Sequence, residues 1–197
     1  MNKLSNLCNF IGSGLVISRY KSRLGEKPIK EYKVITIKST EVDSIYNEEL
    51  FEKFPAKRVI PDKYIIKSGD IVIRNSAPFT ATFFKEVADY NWIVPSQFTI
   101  IRADSNSISA NYLAIVLNCR ETKRYFEKET LHSTMPIIKL NTLKELDVII
   151  QSSKKQENII KINNLLTKEM VILKQIIEEK KEFDSLTISE LIGDKND

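Results

Sequence analysis

The sequence predicts an α+β protein, a β-rich head followed by one long helix. Three observations carry that prediction. Short β-branched runs separated by turn residues fill positions 1–150, one 3-4 apolar spacing without internal Pro or Gly fills most of the remaining chain, and the change of character falls near residue 151. No internal repeat is visible. The expected organisation is a domain over 1–150, a helical segment over 151–183 and a flexible tail over 184–197.

In chain order, 14–18 (Gly-Leu-Val-Ile-Ser) and 32–38 (Tyr-Lys-Val-Ile-Thr-Ile-Lys) read as the first strands, joined by the basic loop 19–27. Residues 46–58 read as a polar, partly helical connector carrying Lys53, Lys57 and Arg58. Ser68-Gly69-Asp70 is a tight turn, with Asp70 accepting backbone N–H bonds. It leads into strand 70–74, whose apolar centre predicts burial on both faces. Asn75-Ser76-Ala77-Pro78 is a polar turn before strand 79–87, and strand 92–102 carries a bulge or edge position at Pro95. Ser109 is the expected N-cap of a helix over 109–128. A polar loop covers 129–135, and short strands fall at 136–138 and 147–150. The last helix is expected over 155–183, where Ile159, Ile162, Leu166, Leu173, Ile176 and Phe183 fall at 3-4 spacing and Glu169 and Lys180 occupy the two intervening seam positions. Twenty-nine residues of helix reach roughly 43 Å. No other predicted helix can cover that stripe, so the expected partner is a helix from another chain.

Composition excludes several classes. Of 197 residues, 42% are apolar and 28% charged, which fits a folded domain rather than a disordered chain. The net charge of +4 is compatible with a nucleic-acid partner without identifying one. Cys8 and Cys119 cannot staple a scaffold, and with a single histidine they are too few for a self-contained zinc site; no metal or cofactor is expected. No apolar stretch approaches the length of a membrane span, and Gly12-Ser13-Gly14 interrupts any secretory signal, so a cytoplasmic protein without membrane contact is expected.

An enzyme reading finds little support. His132 stands beside Ser133 and Thr134, but adjacency in sequence does not provide the geometry of a nucleophile and its base. Gly12-x-Gly14 lacks the third glycine of a dinucleotide fingerprint and the lysine of a phosphate loop. No catalytic residue is assigned. A nucleic-acid reading fares better. Arg19, Lys21 and Arg23 alternate on one loop and suit phosphates. Arg74, Asn75, Ser76 and Thr80 lie at a strand end, with Thr82 beyond and Gln97 and Arg102 on a neighbouring strand, and Arg, Asn and Gln are the side chains that read base edges. His132, Ser133 and Thr134 add a polar loop that faces either solvent or DNA. The competing reading makes all of these ordinary solvated residues, and the chain a coiled-coil adaptor that never touches DNA.

The motifs, in order, resemble the specificity subunit of type I restriction-modification systems. The resemblance rests on Gly12-Ser13-Gly14, on Val34-Ile35-Thr36-Ile37-Lys38, and on the Ser68-Gly69-Asp70-Ile71-Val72-Ile73-Arg74 signature. It continues through Val94-Pro95-Ser96-Gln97-Phe98, Asn111-Tyr112-Leu113, and Gln156-Glu157-Asn158-Ile159-Ile160 at the opening of the long helix. Members of that family usually carry proline before this helix, and 149–156 has none; they also carry two such halves where this chain carries one. The resemblance implies a half-length, non-catalytic subunit with one target recognition domain, 1–150, that reads half of a split duplex target, and a spacer helix that pairs antiparallel with its twin in a homodimer. It further implies two copies of a methylation subunit and a motor-nuclease restriction subunit as partners.

Overall fold

The computed structural model describes residues 2–23, 25–40, 46–87, 91–131, 134 and 136–193. Its strands are β1 (Asn2–Lys3), β2 (Cys8–Ser13), β3 (Lys30–Val34), β4 (Glu52–Ala56), β5 (Ile71–Arg74), β6 (Ala81–Phe83), β7 (Trp92–Ile93), β8 (Phe98–Ala103) and β9 (Asp147–Val148). Its α-helices are α1 (Ala110–Asn118), α2 (Arg120–Thr130), α3 (Leu140–Lys144) and α4 (Ser153–Gly193). The architecture is mixed α+β, with several antiparallel ladders and a long C-terminal helix. The chain divides into two compact units, residues 1–156 and 157–197.

In the first unit, β5 supplies the logic of the main sheet. Ile71, Val72 and Ile73 are all buried, as an apolar run in an inner strand must be. The sheet order is β2-β8-β5-β6, antiparallel throughout. Gly69 enters the preceding turn with φ +89, a backbone that suits glycine, and Asp70 accepts the Lys67 N–H at 2.9 Å. The Asp70 carboxylate also takes Arg102 Nε at 2.9 Å and Nη2 at 3.1 Å, so Arg102 is a structural cation tying the turn to β8 and not a base reader. A second sheet, β4-β3-β7, pairs β3 antiparallel with β4 and parallel with β7. One core cluster gathers Phe84, Trp92, Phe98 and Ile100; another gathers Tyr32, Phe54, Ile60 and Ile93. β1 and β9 pair with each other, joining the two ends of the head.

Several expectations are corrected. No strand forms at 14–18: β2 ends at Ser13, Leu15 makes only a bridge to Pro95, and Gly14 passes so close to the Val94 and Pro95 carbonyls that a Cβ there would clash with backbone. The connector 46–58 contains β4, whose Phe54 and Ala56 are buried while Glu52 and Lys53 face solvent; cross-strand pairing with β3 overrides its polar composition. The strand expected at 79–87 shortens to β6, whose outer edge is met by a side chain: Asn118 Oδ1 accepts the Ala81 N–H at 3.0 Å and its Nδ2 donates to Ala81 O. The helix expected at 109–128 is two helices, broken where Cys119 adopts φ −68 and ψ 157. Ser109 does cap α1, accepting the Tyr112 N–H. Residues 136–138 contribute only a bridge between Ile137 and Ser76.

The long helix begins earlier and ends later than expected, and residues 184–193 are helical rather than a flexible tail. No proline interrupts it, and the ion pairs Lys181–Glu178 and Lys180–Asp184 stitch its last turns at helical spacing. Its root is fixed by Gln156, which is buried: Oε1 accepts the Ser109 N–H at 3.1 Å and Nε2 donates to Gln151 O at 2.8 Å. Among the described residues no helix is long and apolar enough to cross a membrane.

Candidate nucleic-acid interface

The basic loop is held by the outer edge of β4. Lys21 bridges Ala56, the Ser22 N–H donates to Pro55 O at 2.9 Å, and the Lys57 N–H donates to Tyr20 O at 2.9 Å. This seating brings Lys57 and Arg58, which follow β4, to Arg19, Lys21 and Arg23. Arg58 stacks its guanidinium 4.0 Å from the centre of the Tyr20 ring, and its Nη2 reaches Arg19 O at 3.4 Å. Arg19, Lys21, Arg23 and Arg58 are exposed. Among the described residues none of these five cations forms an ion pair, whereas Lys33 is paired with Glu48. The result is a group of cations without ion pairs at one sheet edge, beside the Glu26 carboxylate that accepts the Arg23 N–H at 2.9 Å; excess positive charge of this kind suits phosphates. Lys57 and Arg58 are the contributors that sequence reasoning did not attach to this cluster. The available signal was the Phe54/Ala56 alternation, which makes 52–56 a strand and delivers its next residues to one end.

The polar turn after β5 forms a second patch. Phe79 has φ 56, a conformation seldom adopted by a bulky residue, and is held there by burial of its ring 5.7 Å from that of Phe126 and by its N–H bond to Ser76 O. Arg74 Nε donates to Ser76 Oγ at 3.0 Å. The Asn75 amide is engaged within the head: Nδ2 donates to Ser96 O at 3.1 Å, and Oδ1 accepts the Thr99 hydroxyl at 2.7 Å. Asn75 therefore positions the turn, with one N–H of its amide not used by these two bonds. Thr80 and Thr82 are buried, so neither presents its hydroxyl to a groove. Gln97 is exposed, and among the described residues its side-chain amide has no partner. The Asn75 N–H donates to Gln97 O at 3.0 Å, which fixes the backbone beneath that amide.

Ser96 ties this turn to the segment before the basic loop: its N–H donates to Leu15 O at 2.8 Å and its carbonyl accepts the Asn75 amide. The Ile138 N–H donates to Asn75 O at 2.7 Å, so the segment after Thr134 runs onto the same turn, and Thr134 itself is exposed. His132 and Ser133 lie outside the described residues.

Elsewhere in the head, Cys8 and Asp104 are among the groups with displaced pKa values. Burial, with the nearby Asp104 charge adding to it, pushes the Cys8 thiol up to about 12. Asp104 is held below the ordinary carboxylate range by the Ser107 hydroxyl and the Asn106 N–H. Among the described residues, no three or more His, Cys, Asp or Glu side chains gather as metal ligands would.

On α4, Ile162, Leu166, Leu173, Ile176 and Phe183 are each about half exposed or more. The helix is also polarised in charge. Residues 153–174 carry five lysines against two glutamates, and residues 175–193 carry two lysines against five acids.

No protein-family model and no curated protein sequence matches this chain. Its fold is that of type I R-M components. It is similar to a chain from a structural study of complex assembly and conformational transition of the type I R-M system, with 14% identity and a TM-score of 0.67 over 96% of this chain and 47% of the other. It is likewise similar to the HsdS subunit from Thermoanaerobacter tengcongensis, with 15% identity and a TM-score of 0.60 over 94% of this chain and 46% of that one. The chain thus spans about half the length of both.

Proposed function

We propose that this chain is a specificity module of the type I restriction-modification kind. The head reads half of a split duplex DNA target. The long helix pairs with a second copy, and the assembled module positions methylation and restriction subunits that carry out the chemistry. The observation that carries this reading is the fold likeness over nearly the whole chain, long helix included. The exposed cations around β4 support it, since they supply what the phosphate backbone demands. The polarised charge of α4 supports antiparallel pairing, which sets the lysine-rich half of one helix against the acidic half of its twin.

Within this reading the residues divide by role. Arg19, Lys21 and Arg23, joined by Lys57 and Arg58, hold the duplex by its phosphates. Gln97 reads a base edge from the turn that Arg74, Asn75 and Ser76 shape, and His132, Ser133 and Thr134 are further candidate contacts.

The test is methylation mapping of DNA exposed to this chain with its cognate methylation subunit. The expected result is adenine methylation at a two-part motif whose halves are inverted repeats, as a symmetric pair of identical heads requires. Gln97→Ala is expected to relax one position of each half by about 1–3 kcal/mol. Lys21→Ala is expected to weaken all sequences alike and to lower the salt slope by about one unit. Absence of site-specific methylation, together with no enrichment from a random duplex pool, would leave the adaptor reading in its place.

A further inference from the structure

We propose that Glu169 and Lys180 set the register in which two copies of this chain pair, each Glu169 facing the partner's Lys180. The inference rests on the helix-pairing reading above and adds a specific alignment to it.

Between Ile159 and Phe183 the apolar seam of α4 repeats as a heptad with two polar interruptions. One set of seam positions holds Ile159, Leu166, Leu173 and Lys180; the other holds Ile162, Glu169, Ile176 and Phe183. In an antiparallel pair, positions of the first set face positions of the second. The interruptions lie symmetrically about a point between residues 174 and 175. A twofold axis placed there sets Leu173 against Ile176, Leu166 against Phe183, Ile162 against Thr187 and, towards the helix ends, Ile159 against Glu190. The two interruptions then meet each other, Glu169 with Lys180, once on each side of the axis.

Slipping by one heptad either way puts both polar residues on apolar or uncharged neighbours. It sets Lys180 against Ile176 and Glu169 against Thr187, or Lys180 against Ile162 and Glu169 against Leu173. A parallel, in-register pair would face Glu169 with Glu169 and Lys180 with Lys180. One alignment therefore satisfies both charges, and a polar pair within an apolar seam is a recognised device for specifying register. Both side chains are exposed and able to turn inward. Lys180 bonds Asp184 within its own helix, an exposed pair of the kind that yields readily to a better-buried partner.

The same axis also fixes the extent of overlap. It places the partner's Gly193, the last described residue of α4, level with Gln156, the residue that roots the helix in the head. The overlap then extends from root to tip, and the two Gln156 residues stand roughly 55 Å apart along the helix direction. A one-heptad slip would change that spacing by roughly 10 Å, enough to disturb a two-part DNA site.

Sedimentation equilibrium on the full chain tests the proposal. Wild type is expected to be a dimer. E169K and K180E each place like charges together twice and are expected to weaken the dimer at least about tenfold. Mixing E169K with K180E restores both pairs in a heterodimer and is expected to recover near-wild-type affinity, as is the double variant E169K/K180E on its own. Recovery on mixing also shows that both single variants are folded. If the single variants dimerise as tightly as wild type, or if neither the mixture nor the double variant recovers, the register is overturned while helix pairing stands. A wild-type chain that remains monomeric overturns the pairing reading and the register with it.

Discussion

The head and the long helix handle apolar surface in opposite ways. In the head, Trp92, Phe98 and Ile100 are almost wholly buried, and each core cluster is closed by residues of several strands. Along α4, Leu173 is 46% exposed and Phe183 63%, and Gln156 is its one buried residue. The head obtains its stability from long-range contacts within its own chain. The helix satisfies its backbone locally and leaves its apolar stripe for something else to cover. That contrast, satisfied polar groups beside exposed apolar ones, is the feature on which the proposed pairing of α4 rests.

The largest effect that separates the two regions is expected at the Asp70–Arg102 pair. With the Asp70 side chain 3% exposed and that of Arg102 20%, Asp70→Ala strands a largely buried cation and is expected to cost the head about 3–5 kcal/mol. Leu173→Ala is expected to leave head stability unchanged within about 0.5 kcal/mol while weakening dimer formation. Urea unfolding followed through Trp92, the single tryptophan, reports on the head alone and reads both variants. Loss of head stability in Leu173→Ala would break the contrast.

Glycine substitutions sharpen it. At Gly14 a Cβ meets the Pro95 carbonyl at 2.2 Å and backbone must move, so Gly14→Ala is expected to cost about 1–3 kcal/mol. At Gly193 a Cβ meets nothing within 4 Å, and Gly193→Ala is expected to change nothing measurable. The same unfolding measurement compares them.

The smallest effect concerns protons. The folded head keeps the Cys8 thiol protonated up to about 12, against an ordinary value of 9.0. A raised folded value means that this contribution is fully present below pH 9.0 and is lost as pH climbs towards 12, because the unfolded thiol ionises first. Stability is expected to fall across that window in wild type and less in Cys8→Ala. Alkylation at pH 8.5 is expected to modify Cys119 well before Cys8, which peptide mass mapping would show.

The α+β class, the buried β5 run, the Ser68–Asp70 turn, the Ser109 cap and the existence of the long helix were legible because each depends on neighbours in sequence: β-branched runs, turn chemistry, capping oxygens and 3-4 spacing. The polar strand β4 was not legible, because its partner β3 lies some twenty residues earlier and supplies the pairing its composition does not advertise. The candidate interface divided in the same way. Exposed loop cations were visible as loop cations. That Asn75 and Arg102 spend their polar atoms inside the head, and that Lys57 and Arg58 join Arg19, Lys21 and Arg23, emerged only from the fold.

By itself, the sequence determined the α+β class, the turn before β5, the cap of α1 and the apolar spacing of α4, because these depend on local periodicity, turn chemistry and backbone sterics. Tertiary structure decided which polar side chains remain available to a ligand. A polar group buried without a partner is costly, so packing in the head engages polar groups such as the Asn75 amide and the Arg102 guanidinium, while Gln97 at the surface keeps its amide free.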